Sequence, residues 1–223
     1  MRNTTPGSPP LTNKQQDKSL FASQTLIICT LGGSMESRDR EAGSHVRRVG
    51  EISALLARLN GCREEHIEKV RFAAYLHDAG KVRTPETILN KPGSLTDEEW
   101  LIIKNHTLDG WNILRDSGDP VLDLAALVAL EHHERWDGRG YPHEKKGTDI
   151  SLEGRIVCLA DVMDSLLIDS CYKEAWGFEE VTALFKESRG THFDPDLTDL
   201  LLSHQEDVRK IYREFPYQHT LKD

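Results

Sequence analysis

Residues able to ligate metals recur along the chain: Glu41 and His45, then His77 with Asp78, His106, His132 with His133, and Asp161. On a helix, Glu41 and His45 would share one face with their β-carbons about 5–6 Å apart. Imidazole nitrogen combined with carboxylate oxygen suits divalent first-row cations, and two such cations can turn water against a phosphodiester. Taken singly, each residue has a plainer reading. His106 alone would be a hydrogen-bonded surface histidine, Glu41–His45 an exposed pair, and His132–His133 a complement to a helix C-terminal dipole. Asp161 resists such a reading, because it interrupts the apolar run Ile156, Val157, Leu159, Ala160, Val162, Met163 and a buried carboxylate needs a partner. Consecutive helical residues point roughly 100° apart, so His132 and His133 serve two cations more easily than one. The set as a whole predicts a cluster of metals.

The elements that must position these residues are helical. Val46, Val49, Ile52, Leu56 and Leu59 keep a helical period, with Gly61 as the stop. Ile67, Val70, Ala73, Ala74 and Leu76 predict a helix running into His77–Asp78 and ending near Gly80. A capping box, Thr96 to Glu99, opens a helix carrying Trp100, Ile103 and Leu108. Asp119–Pro120 opens another that closes at His132–His133. Helices are also expected from Ser151 to about Ile168, from Phe178 to Ser188, and from Asp194–Pro195 onward. No stretch alternates like a strand, so the expected architecture is an all-α bundle.

Residues 1–19, rich in Pro, Ser, Asn and Gln, read as a tail, and residues 20–37 as a lead-in helix weakened by Gly32 and Gly33. The main domain is assigned to 38–215 and a short tail to 216–223. The formal net charge of −9 argues against a binder of polymeric nucleic acid, which relies on Lys and Arg. It leaves small anionic substrates open, since bound cations reverse a local field. No apolar run approaches the roughly 20 residues of a membrane span, and the N-terminus lacks a signal-peptide pattern. With Cys29, Cys62, Cys158 and Cys171 scattered and forming no CxxC pair, a cytoplasmic protein without membrane contact is expected.

The stretches RDREAGSHVRRV (38–49), LHDAGK (76–81), ILNKPGSLTDEEWLIIKNH (88–106), HHERWDGRGYP (132–142), IVCLADVMDSL (156–166) and GTHFDPDL (190–197) resemble the HD-GYP domains of the HD phosphohydrolase superfamily. The resemblance covers roughly 38–203, in the family's order and spacing. It implies an HD-superfamily helical bundle with a bi- or trinuclear metal centre held by Glu41, His45, His77, Asp78, His106, His132, His133 and Asp161. Glu41 and His45 keep a third metal open. The metals implied are two or three divalent ions, iron or manganese favoured, with no organic cofactor. The implied reaction is hydrolysis of cyclic di-GMP to linear pGpG, in some members on to GMP, by a metal-activated hydroxide. In it Asp78 and Lys81 are catalytic, and Tyr141 and Lys173 bind substrate.

One departure bears on substrate. After Asp164 the family usually reads A-L-T-S-x-R-P-Y-R/K, whereas this chain reads Ser165-Leu-Leu-Ile-Asp-Ser170-Cys-Tyr172-Lys173. Serine at 170 cannot replace the planar fork of an arginine. Substrate identity is therefore less determined than reaction class. Three alternatives stay open: a metal-loaded cyclic dinucleotide sensor with little turnover, a phosphodiesterase preferring cyclic GMP–AMP, and another HD-type phosphohydrolase. The apolar stripe of the lead-in segment suggests a homodimer, and the family setting suggests signalling partner proteins.

Overall fold

In the computed structural model, which describes residues 42–168 and 174–216, helix α1 (Ala42–Leu59) turns Val46, Val49, Ile52 and Leu56 inward. Gly61, at φ 82°, ends that segment in the left-handed region that glycine tolerates. Glu41, Ser170, Lys173 and the lead-in segment lie outside the described residues. Helix α2 (Glu64–Ala74) buries Ile67, Val70, Ala73 and Ala74. A 3₁₀ turn (Ala79–Arg83) and the short α3 (Glu86–Leu89) lead to α4 (Asp97–Lys104) and α5 (His106–Leu114). Then follow α6 (Pro120–Glu131), α7 (Leu152–Leu167), α8 (Phe178–Glu187), α9 (Pro195–Ser203) and α10 (Gln205–Glu214). There is no strand among the described residues, only an isolated bridge between Arg189 and Phe193. No helix among them is long and apolar enough to cross a membrane.

The main core cluster is drawn from α1, α2, α6, α7, α8, α9 and α10, including Ile52, Leu56, Val70, Val128, Leu159, Met163, Phe185, Leu201 and Val208, and a smaller one joins Val46, Phe72 and Tyr75. Helix α1 packs on α2 and α7, and α6 on α2, α5 and α7. Small residues set the closest approaches. A β-carbon on Gly80 would lie 1.9 Å from the His106 carbonyl oxygen, and one on Gly110 would lie 2.9 Å from Ala129 Cβ. Those contacts draw the 3₁₀ turn, α5 and α6 together, and with them Asp78, His106 and His132.

The cap signals behave as expected. Thr96 accepts from Glu99 N and Glu99 from Thr96 N, while Asp119 and Asp194 cap α6 and α9 with proline at the first helical position. Two boundaries differ from the sequence expectation. The α2 helix stops at Ala74 rather than near Gly80, and the helix opened by Thr96 breaks at Asn105 into α4 and α5. Both breaks have one cause. His77 Nδ1 donates to Ala74 O at 2.8 Å, and His106 Nδ1 donates to Ile103 O at 2.7 Å. An imidazole N–H thus takes a carbonyl at the end of the ladder, as caps do. The chain from Gln205 also forms α10, a helix that the reading from Asp194 did not separate.

Candidate metal centre

His132 repeats the pattern at the end of α6, with Nδ1 against Val128 O at 3.1 Å and Ala129 O at 3.0 Å. A carbonyl oxygen only accepts, so Nδ1 carries the hydrogen in His77, His106 and His132. Each ring then presents Nε2 away from its own helix. His45 reaches the same result differently: its Nδ1 lies 2.7 Å from Asp164 Oδ2 and its Nε2 is 3.5 Å from Asp161 Oδ1.

Two groups converge. Asp78, His106, His132 and His133 form one, and His45, His77 and Asp161 the other; within each, ligand-type atoms lie within 4.8 Å of one another. Asp78 stands between them. Its Oδ1 is 3.2 Å from His106 Nε2 and 3.7 Å from His132 Nε2, while its Oδ2 is 3.2 Å from His77 Nε2 and meets Lys81 Nζ. His77 Nε2 is also 3.7 Å from Asp161 Oδ1. The floor, His77, Asp78, His106 and His132, is buried, whereas His45, His133, Asp161 and Tyr141 are half-buried and form the rim.

Electrostatics favour cation binding. Burial pulls the His106 pKa down to about 4 despite the Asp78 carboxylate, and pushes that of His133 well below its ordinary value. Both rings are therefore neutral with a free lone pair near pH 7. Burial alone would raise the aspartates. For Asp78 the charges of Lys81 and His77 outweigh it and hold the carboxyl well below the usual range; for Asp161 His45 and His77 do the same. Burial pushes the Cys158 thiol up to about 12, so it stays protonated and contributes no thiolate.

The donor set fits a cation. His106 Nε2 and His132 Nε2 face each other at 3.3 Å, yet both Nδ1 atoms already hold the hydrogen. Asp78 Oδ1 is buried beside them and accepts no hydrogen bond. Three acceptors pointing at one spot repel unless a cation lies among them. Nitrogen and oxygen donors of this kind fit a divalent metal.

Seven of the residues singled out from sequence are thus brought together: His45, His77, Asp78, His106, His132, His133 and Asp161. Lys81 rests on Asp78. Tyr141, beside the cis peptide to Pro142, stacks on His133 with ring centroids 4.8 Å apart. Glu41 and Lys173 lie outside the described residues. The sequence reading missed Asp164 and Arg48. Asp164 is fully buried on α7, receives Arg48 through Nε at 2.6 Å and Nη2 at 3.0 Å, and fixes His45. Asp164 interrupts the same apolar helix three residues after Asp161, and a carboxylate buried there equally needs a partner.

The loop from His132 to Pro142 is tied down by its own glutamates. Glu134 accepts from His143 N at 2.7 Å and Lys145 N at 3.0 Å, and Glu131 from Ser151 N at 2.7 Å and from Lys145 Nζ. Gly140 lets the chain fold back, since a β-carbon there would lie 2.4 Å from Arg135 N. Trp136 N and Asp137 N donate to His192 O and Thr191 O, and Arg155 pairs with Asp194. The segment 190–197 therefore buttresses this loop and is not part of the ligand cluster.

A profile of the HD domain family matches residues 34–197. The chain belongs to the HD domain family. It is 39% identical over 190 residues to a 3'3'-cGAMP-specific phosphodiesterase 2 of Vibrio cholerae, covering 85% of this chain and 36% of that protein. It is 39% identical over 188 residues to the cyclic di-GMP phosphodiesterase response regulator RpfG of Xanthomonas campestris (84% and 50%). A cyclic di-GMP phosphodiesterase of Thermotoga maritima is 40% identical over 178 residues (80% and 48%). The chain spans half or less of the length of these relatives. Among solved structures, a cyclic GMP–AMP-specific phosphodiesterase of V. cholerae shares the fold with a TM-score of 0.64 at 19% identity, over 87% of this chain and 51% of that one.

Proposed function

We propose that this chain is a metal-dependent phosphodiesterase that opens cyclic di-GMP to linear pGpG. The observation that carries the reading is the meeting of His106 Nε2, His132 Nε2 and Asp78 Oδ1, three acceptors around one point. The names of the relatives supply the substrate class. Divalent cations held by His45, His77, Asp78, His106, His132, His133 and Asp161, with Glu41 as a further ligand, would supply Lewis-acid activation of water and neutralise phosphodiester charge. The nitrogen and oxygen donors, with Cys158 protonated, suit first-row divalent metals, and the family resemblance favours iron or manganese, two ions or three.

The chain's own residues do the rest. Asp78, held ionised, directs one oxygen to each group of ligands and orients the attacking water. That water forms the new P–O bond, and the bond from phosphorus to O3′ breaks. The O3′ takes up a proton, and Lys81 stabilises the charge developing there. Lys173 holds substrate phosphate, and Tyr141 lies beside the scissile group.

The test is incubation of anaerobically purified protein, with its metals measured by elemental analysis, with cyclic di-GMP. Appearance of pGpG supports the reading. Tight binding without product would make the chain a sensor instead. Hydrolysis of mononucleotides alone would make it another HD phosphohydrolase. Cyclic GMP–AMP is the second substrate to assay, because one 39% identical relative is named for it and Ser170 stands where the family arginine is expected. A cytoplasmic setting, a homodimer through the 20–37 segment and signalling partners belong to the same proposal. Light scattering tests the dimer.

A further inference from the structure

Helix α4 is capped by a full capping box, yet it buries none of its residues. Trp100 is 46% exposed and Leu101 62% exposed. Its last residue, Lys104, stands two positions before His106 and at the rim of the metal centre. The Lys104 ammonium lies 5.2 Å from the centroid of the Tyr141 ring, which is itself stacked on His133, and 5.9 Å from that of Trp100. Lys81 is paired with Asp78, Lys145 with Glu131, Arg135 with Asp137 and Arg155 with Asp194. No carboxylate among the described residues lies within 4.0 Å of Lys104. A half-buried ammonium is thus held over aromatic faces at the mouth of a site, with its charge left for a ligand.

We propose that Lys104 and Trp100 form the subsite for the second, non-reacting nucleotide of the cyclic dinucleotide, phosphate on Lys104 and base on Trp100. The inference rests on the functional reading above. A cyclic dinucleotide carries two phosphodiesters, and the metal ligands converge on the place of one. The other stays anionic outside that cluster and needs a cation. An exposed indole beside it gives a base a stacking surface that tolerates either purine. Cation–π contact keeps the ammonium in place without cancelling its charge.

The test compares wild type, Lys104→Gln, Lys104→Arg and Trp100→Ala, each metal-loaded. The substrates are cyclic di-GMP and bis(p-nitrophenyl) phosphate, a diester with one phosphate and no base. Lys104→Gln should raise KM for cyclic di-GMP about tenfold with kcat held within about twofold, as loss of one charge-assisted contact predicts. KM should also lose most of its dependence on salt. Lys104→Arg should restore both. Trp100→Ala should raise the same KM about fivefold. Metal content and the small diester should be unchanged in all.

Binding of cyclic di-GMP measured by equilibrium dialysis should weaken in parallel, whether or not turnover follows. An unchanged KM and Kd in Lys104→Gln, in a wild type that binds and cleaves, overturns the subsite alone. Equal loss on both substrates also overturns it, since Lys104 would then be acting through His106 or Tyr141. A wild type that neither binds nor cleaves any cyclic dinucleotide overturns the functional reading and this inference together.

Discussion

Removing the Asp164 carboxylate probes both the fold and the centre, and its two effects can be separated. Arg48 and Asp164 have fully buried side chains and meet through two hydrogen bonds of 2.6 and 3.0 Å, while Asp164 also receives His45 Nδ1 at 2.7 Å. Asp164→Ala removes the carboxylate that receives Nε and Nη2 of this buried guanidinium, whose Nη1 reaches the Phe215 carbonyl at 3.2 Å. Breaking a buried pair in this way costs about 3–5 kcal/mol, a large share of the roughly 5–15 kcal/mol that holds a domain folded. At about 2–4 °C per kcal/mol for a domain of this size, Tm falls by roughly 6–20 °C.

The same change frees His45 from the tautomer that directs Nε2 toward Asp161. Metal affinity at the His45–His77–Asp161 group should fall about 10–100-fold, the usual effect of losing an orienting carboxylate. Replacing both partners, as R48M/D164L, removes the buried guanidinium along with the carboxylate and returns most of the stability. The metal defect, however, persists. Urea unfolding of chelator-treated protein reads the first effect, and metal titration with elemental analysis reads the second. A single variant costing under about 1 kcal/mol would refute the burial argument. A double variant with full metal affinity would refute the orienting role of Asp164.

Gly80→Ala should destabilise severely and abolish metal binding, because its β-carbon meets the backbone of His106; Gly61→Ala, with open space around it but φ 82°, should cost only about 1 kcal/mol. Thermal melts with metal titration distinguish the two, and equal behaviour would sink the packing argument. Metal-free protein should lose stability as pH falls from about 6.5 toward 4, because the unfolded chain protonates its histidines in that window while buried His106, with its pKa near 4, does not. His106 alone accounts for at most roughly 3 kcal/mol, with His133 acting in the same direction and Asp78, Asp161 and Asp164 adding losses below about pH 4. A Tm flat between pH 7 and 4.5 would contradict this. Lys81→Ala should keep its metals by elemental analysis and lose most turnover; an unchanged kcat removes Lys81 from the mechanism.

Local signals were legible in the sequence because they act within a few residues. The period of Val46 to Leu56, the Thr96–Glu99 box and the Asp119–Pro120 start each concern neighbours on one helix, and the structure contains each one. The side chains that converge were legible too, since a carboxylate such as Asp161 on an apolar helix, or paired histidines at a helix end, breaks a pattern that core packing would keep. What hid the break at Asn105 and the early end of α2 was a side-chain competitor: His106 and His77 take helix carbonyls with Nδ1, and periodicity registers only apolar positions.

Convergence was decided by tertiary packing alone. Arg48 and Asp164 are separated by 116 residues, and nothing local in either segment tells that one will neutralise the other. Likewise the stacking of Tyr141 on His133, the approach of Lys104 to that ring, and the facing of His106 and His132 depend on how closely helices can approach at Gly80, Gly110 and Ala129. Sequence determines which groups can bind a cation and which face of a helix carries them, because those follow from covalent chemistry and a 3.6-residue turn. Which groups meet is a property of excluded volume between helices, and that is settled only when the whole core closes.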